Sequence, residues 1–173
     1  SHAILLTYYR NNILHLLAMP SLIACCFNNA STLGQEKLLR YIKIAYPFLH
    51  SEFFLHWPAS DIDAVTVRIL QALANAGLLT YNEGSCIYSK PRISTDAHAQ
   101  LTTLAQVISP LLELYYMIFT LIAWHGAKTL SRERLEELCH LMAQRISLMY
   151  EINSPDFFDK KLIANFIDNL LEF

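Results

Sequence analysis

The sequence predicts a mainly α protein, a multi-helix domain with one small β-hairpin in a winged-helix-like segment. Three observations carry that expectation. Apolar residues recur at three- and four-residue spacing along most of the 173 residues. Only four residues are glycine, which argues against β-sandwiches and Gly-rich phosphate loops. The one convincing β signal is Leu78–Tyr81 and Cys86–Tyr88 around the short turn Asn82–Glu83–Gly84–Ser85.

From the N-terminus, Ala3 to Met19 reads as a helix with Ile4, Leu5, Tyr8, Asn12 and His15 on a broad face. Pro20 suits the first turn of a second, short helix that runs to about Phe27 and stops at Asn28–Asn29–Ala30–Ser31. Thr32 with Gln35 three residues on fits a capping box for a helix through Leu38, Leu39, Ile42 and Tyr46. Pro47 lacks a backbone donor and is expected to break or kink that helix before Phe48, Leu49, Phe53, Phe54 and Leu55. Trp57–Pro58–Ala59–Ser60 is a turn, and Asp61 or Asp63 caps a helix carrying Ile62, Val65, Val67, Ile69, Leu70 and Leu73. Gly77 is its stop, and the hairpin follows until Pro91. Beyond it, one helix covers about Asp96 to Trp124, kinked at Pro110 and ended by Gly126. Ser131 opens another through Leu135, Leu138, Leu141, Met142, Ile146 and Met149. Ser154 with Pro155 starts the last, whose apolar face is Leu162, Ile163, Phe166, Ile167 and Leu170. The expected organisation is a single domain over 1–173, with a soft boundary near residue 90 between helices plus wing (1–90) and a helical part (91–173).

Composition narrows the function classes. Hydrophobic residues make up 54% and charged residues 16%, against roughly half and a quarter in ordinary soluble domains. Two readings fit so apolar a chain: it packs on further protein or a membrane surface, the favoured one, or it has a large core of its own. Net charge is −2, so no basic field points to nucleic acid. Cys25, Cys26, Cys86 and Cys139 lack zinc-ligand spacing and read as free thiols in a reducing compartment, which places the chain inside the cell. Arg10, Asn11, Asn12 and His15 interrupt the first apolar run, so it is no signal peptide. No stretch reaches the roughly 20 apolar residues needed to span a bilayer.

Four candidate sites stand out. His56 and Asp61 are spaced like a base and its orienting carboxylate, but Pro58 at a helix end and Asp61 as a cap explain the same residues without chemistry. Glu83–Gly84–Ser85 echoes a Glu-Gly phosphate element, but no Arg follows and the flanks read as a hairpin turn. Thr7–Tyr8–Tyr9–Arg10–Asn11–Asn12 places polar groups in an apolar helix. They form either an internal polar network or a lining for an anionic ligand, in which Arg10 would hold a phosphate bidentately with Asn11 and Asn12 beside it. Asn153 to Lys160 reads as a helix start. No nucleophile elbow, Walker loop, HExxH or dinucleotide fingerprint is present.

Tyr8–Tyr9–Arg10–Asn11–Asn12–Ile13–Leu14–His15 with Pro20–Ser21–Leu22–Ile23–Ala24 resembles the membrane-associated glycerol-3-phosphate acyltransferases, bacterial and mitochondrial. The resemblance continues through Tyr46–Pro47–Phe48–Leu49, Glu52–Phe53–Phe54–Leu55–His56–Trp57, Ala143–Gln144–Arg145–Ile146–Ser147 and Pro155–Asp156–Phe157–Phe158–Asp159–Lys160. It implies the C-terminal region of a longer enzyme, downstream of the catalytic His-x-x-x-x-Asp and Glu-Gly motifs, so His56 and Asp61 take no catalytic role. The implied partners are the N-terminal catalytic domain, acyl-CoA or acyl-carrier protein, glycerol 3-phosphate and the membrane surface; the resemblance implies no metal or cofactor. The implied place is peripheral, on the cytoplasmic face of the inner membrane, with the separated piece soluble and inactive. The competing expectation is a winged-helix module binding nucleic acid or protein. Against nucleic acid, Thr32 to Lys90 is not basic and its wing carries Glu83.

Overall fold

The computed structural model describes residues 2–125 and 131–149 with Ala164 and Ile167; for residues 2–12 and 125, 143, 146, 147 and 149 it describes the backbone alone. The elements are α1 (His2–Cys26), β1 (Thr32–Gly34), α2 (Gln35–Phe53), a 3₁₀ turn (Ala59–Asp61), α3 (Ile62–Asn75), β2 (Thr80–Asn82), β3 (Ile87–Ser89), α4 (Asp96–Gln106), α5 (Ser109–His125) and α6 (Arg132–Met149). The chain forms two compact units, Tyr9–Ile108 and Ser1–Tyr8 with Ser109–Phe173. Mainly α with a small β region is the class the sequence predicted.

In the first unit, helix α2 buries Leu38, Ile42, Tyr46 and Leu49, and α3 buries Ile62, Val65, Thr66, Leu70 and Leu73. Each stripe follows the helical repeat. Met19, Leu22, Ile23 and Phe27 of α1 and its exit are buried in the same unit, as are Leu101 and Ala105 of α4. A fully buried side chain of this size contributes roughly 1.5–3 kcal/mol. The sheet order is β1-β3-β2, all antiparallel. Leu33, Tyr88 and Tyr81 are register partners across the three strands and form one row. Leu33 and Tyr88 are buried, so this row faces the core. The order helix, strand, helix, helix, strand, strand completes a winged-helix-like arrangement of which the sequence had revealed only the last part.

Several expectations are corrected. Thr32 does not cap α2; it pairs with Ser89 in β1, and Gly34 is the N-cap without a side-chain bond. The peptide N–H of Gln35 donates to the Cys86 carbonyl at 2.9 Å, so long-range pairing takes the role expected of a local cap. Pro20 starts no new helix, and Pro47 does not break α2, for both lie inside continuous helices. Each proline leaves unbonded the carbonyl four residues earlier, at Leu16 and Lys43. Both of those residues are exposed, which leaves their carbonyls close to water. Asp61 makes no capping bond to α3; its carboxylate accepts the Ser60 hydroxyl at 2.9 Å. Asp63 instead pairs with Lys43 of α2 at 2.8 Å. The expected single helix from Asp96 to Trp124 is two, interrupted at Val107–Ile108, where the ring of Pro110 prevents closure onto Gln106.

Other expectations hold. Gly77 has φ +73, and Leu78 N–H donates to the Leu73 carbonyl at 2.9 Å, a Schellman end for α3. Ser131 Oγ accepts the Arg134 N–H at 3.3 Å at the start of α6. In the second unit α5 buries Leu111, Leu114, Tyr115 and Ile118, and Cys139 of α6 and Ile167 are buried too. The expected stop at Gly126 and helix start at Ser154–Pro155 lie outside the described residues.

Candidate functional site

A concave feature of the first unit lies between the end of α3 and the hairpin. It is an open groove of about 680 Å³ lined by Gln71, Asn75, Gly77, Thr80, Tyr81 and Glu83, with Tyr88 at its floor. The helix supplies two amides one turn apart, β2 supplies Thr80 and Tyr81, and the turn adds Glu83. Tyr81 and Tyr88, direct partners across the ladder, stack with ring centroids 4.4 Å apart. A bond with the Cys86 side chain pushes the Tyr81 phenol above its ordinary range, with burial and neighbouring groups adding to the rise. Amides, hydroxyls and one carboxylate can hold a polar group by hydrogen bonds, but the lining contains no nucleophile paired with a base. The groove escaped sequence reasoning because Gln71 and Asn75 read as ordinary solvated helix positions; the cross-strand tyrosines were its one legible signal.

Glu83–Gly84–Ser85 is the hairpin turn, as its flanks suggested. Ser85 N–H donates to Asn82 Oδ1 at 3.2 Å, and Cys86 takes a left-handed φ of 52 to re-enter the ladder. His56 and Asp61 are both exposed. The His56 ring lies 4.1 Å from that of Trp57, and among the described residues Asp61 accepts from Ser60 alone. They therefore do not form a base–carboxylate couple.

Arg10, Asn11 and Asn12 lie on α1, and their side chains fall outside the described ones, as does all of Asn153–Lys160. Among the described residues no group of three His, Cys, Asp or Glu could hold a metal ion, and no single helix is long and apolar enough to cross a membrane. Cys25 Sγ donates to the Ala105 carbonyl at 3.2 Å, tying α1 to α4. Burial, with Cys25 adjacent, pushes the Cys26 thiol up to about 12. Such a thiol is unsuited to nucleophilic work.

Basic and acidic residues are equal in number from Thr32 to Lys90. Arg68 is the sole cation on α3, the element that a winged helix would offer to DNA.

A family model described as the glycerol-3-phosphate acyltransferase C-terminal region matches residues 1–173. The chain is 43% identical to a glycerol-3-phosphate acyltransferase of Pseudomonas savastanoi pv. phaseolicola over 171 residues, 99% of this chain and 20% of that protein. The same description in Pseudomonas syringae pv. syringae goes with 43% identity, and in Pseudomonas fluorescens with 41%, at the same coverages. The chain thus spans 20% of the length of these relatives. No solved structure matches it. A nucleic-acid module finds no support in these likenesses.

Proposed function

The chain belongs to the family of glycerol-3-phosphate acyltransferase C-terminal regions, and from that premise we propose that it is the accessory, non-catalytic domain of an enzyme that acylates position 1 of glycerol 3-phosphate in phospholipid synthesis. Acyl-CoA or acyl-carrier protein is the donor. The reaction's general base belongs to an N-terminal catalytic domain in the same polypeptide. The whole region 1–173 acts as one accessory domain, supporting packing on that domain and the positioning of substrate or membrane. The longer protein sits peripherally on the cytoplasmic face of the inner membrane.

The observation that carries this reading is the family match over residues 1–173, combined with exposed His56 and Asp61 side chains that share no hydrogen bond with each other. Arg10, Asn11 and Asn12 are the proposed contacts for an anionic group, because a guanidinium beside amides suits a phosphomonoester. The test is acyl transfer to radiolabelled glycerol 3-phosphate, measured for the separate chain and for a longer protein that contains it. The longer protein is expected to be active and the separate chain inactive. Turnover by the separate chain overturns the proposal. In the longer protein, Arg10→Ala is expected to raise KM for glycerol 3-phosphate about tenfold, the loss of one charge-assisted contact.

A further inference from the structure

Helix α2 has a second face that the core does not use. Lys37, Arg40, Tyr41 and Ile44 recur at three- and four-residue spacing, turned away from the buried stripe Leu38, Ile42, Tyr46 and Leu49. Ile44 is 65% exposed. Lys37 lies over the Tyr41 ring at 5.6 Å, and among the described residues neither Lys37 nor Arg40 forms an ion pair. The helix ends on Phe54, which has φ 49 and ψ 45. A bulky side chain in the left-handed region costs on the order of 1–3 kcal/mol, and glycine is the usual occupant. No packing offsets the cost here, since Phe54 is 88% exposed. Strain retained for an aromatic ring held in water points to a function for the ring.

We propose that this face of α2, with Phe54 at its end, docks on an anionic phospholipid surface. Arg40 lies one turn and Lys37 two turns from Ile44 on this face, and the exposed Phe54 ring stands at the far end of the same helix. Anionic headgroups satisfy Lys37 and Arg40, whose long stems lie along apolar surface. The acyl boundary receives Ile44 and Phe54, and Tyr41 sits at headgroup level. A protruding ring needs a pocket in a rigid protein partner, whereas a fluid bilayer receives it anywhere. The inference rests on the peripheral membrane placement proposed above and names the surface responsible.

The test is co-sedimentation of the 173-residue chain with vesicles containing phosphatidylglycerol and with pure phosphatidylcholine vesicles. Partition onto the anionic vesicles, released by salt, is expected. Lys37→Glu with Arg40→Glu is expected to weaken it by roughly fivefold or more per position. Phe54→Gly is the decisive variant. It relieves the left-handed strain, so thermal stability is expected to hold or rise while partition falls several-fold. Failure to bind, equal binding to neutral vesicles, binding of an acidic polypeptide in place of vesicles, or indifference to these substitutions overturns the proposal. Membrane fractionation of the longer protein separates the two readings. If that protein pellets with membranes while the chain ignores vesicles, the assignment of α2 falls and the peripheral placement stands.

Discussion

The ammonium of Lys90 donates to the carbonyl of Phe27 at 3.2 Å, joining the residue after β3 to the exit of α1. The last carbonyls of a helix have no partner within it, and a cation there is favoured by the dipole as well as by the bond. Lys90→Met keeps the aliphatic stem and removes the bond. It is expected to lower stability by about 1–2 kcal/mol in urea titration, and Lys90→Arg is expected to recover at least half of that.

Thr66 sits on the core face of α3, fully buried, and its hydroxyl has no hydrogen-bond partner among the described residues. Thr66→Val replaces that hydroxyl with a methyl of nearly the same shape. The expected result is a gain of about 1 kcal/mol, because an unpaired buried polar group is removed at little cost in packing. Thermal denaturation of the two proteins checks it.

In the longer acyltransferase, His56→Ala and Asp61→Asn are expected to leave kcat and KM within about twofold of the parent. A general base typically contributes about 10²–10⁴-fold, so a loss of that size in steady-state acyl transfer would restore the pair to the active site.

The cysteines are expected to separate by reactivity. Cys86 is exposed in the hairpin turn, whereas burial pushes Cys26 to about 12 and Cys139 to about 11. With thiol labelling at mildly alkaline pH followed by peptide mass spectrometry, Cys86 is expected to react first. The same shifts set an alkaline limit. Both buried thiols hold their protons more tightly folded than unfolded, from a starting value of 9.0. Stability is therefore complete below pH 9 and falls as pH rises towards 11 and 12. Urea midpoints across that window test the sign.

The periodic helices were legible because their cores are local. Leu38, Ile42 and Leu49 announce α2 from spacing alone, and Gly77 announces the end of α3 through its need for positive φ. Strand β1 was not legible, since only Leu33 of its three residues is buried and its partner Tyr88 is remote in sequence. The helix start expected at Pro20 and a break at Pro47 do not occur; a rule about one missing bond says nothing of whether water can reach the freed carbonyl. At the site, the sequence assigned His56 and Asp61 no catalytic role, but the cap it offered for Asp61 in place of one is not made. It could not show the groove, which exists only once Gln71 and Tyr81 are brought together across the turn at Gly77.

The middle strand of the sheet, β3, is also the last of the three in sequence. On a translating ribosome, Thr32 waits for its partner until Ser89 has emerged, with α2 and α3 held as a loop between them. The hairpin of β2 and β3 closes locally and fast, and the seam with β1 is slower because distant residues must first find one another. A nascent chain stalled before Ile87 would therefore leave Leu33 without its neighbour and open to wrong partners, so correct assembly of this unit depends on its final strand arriving in time.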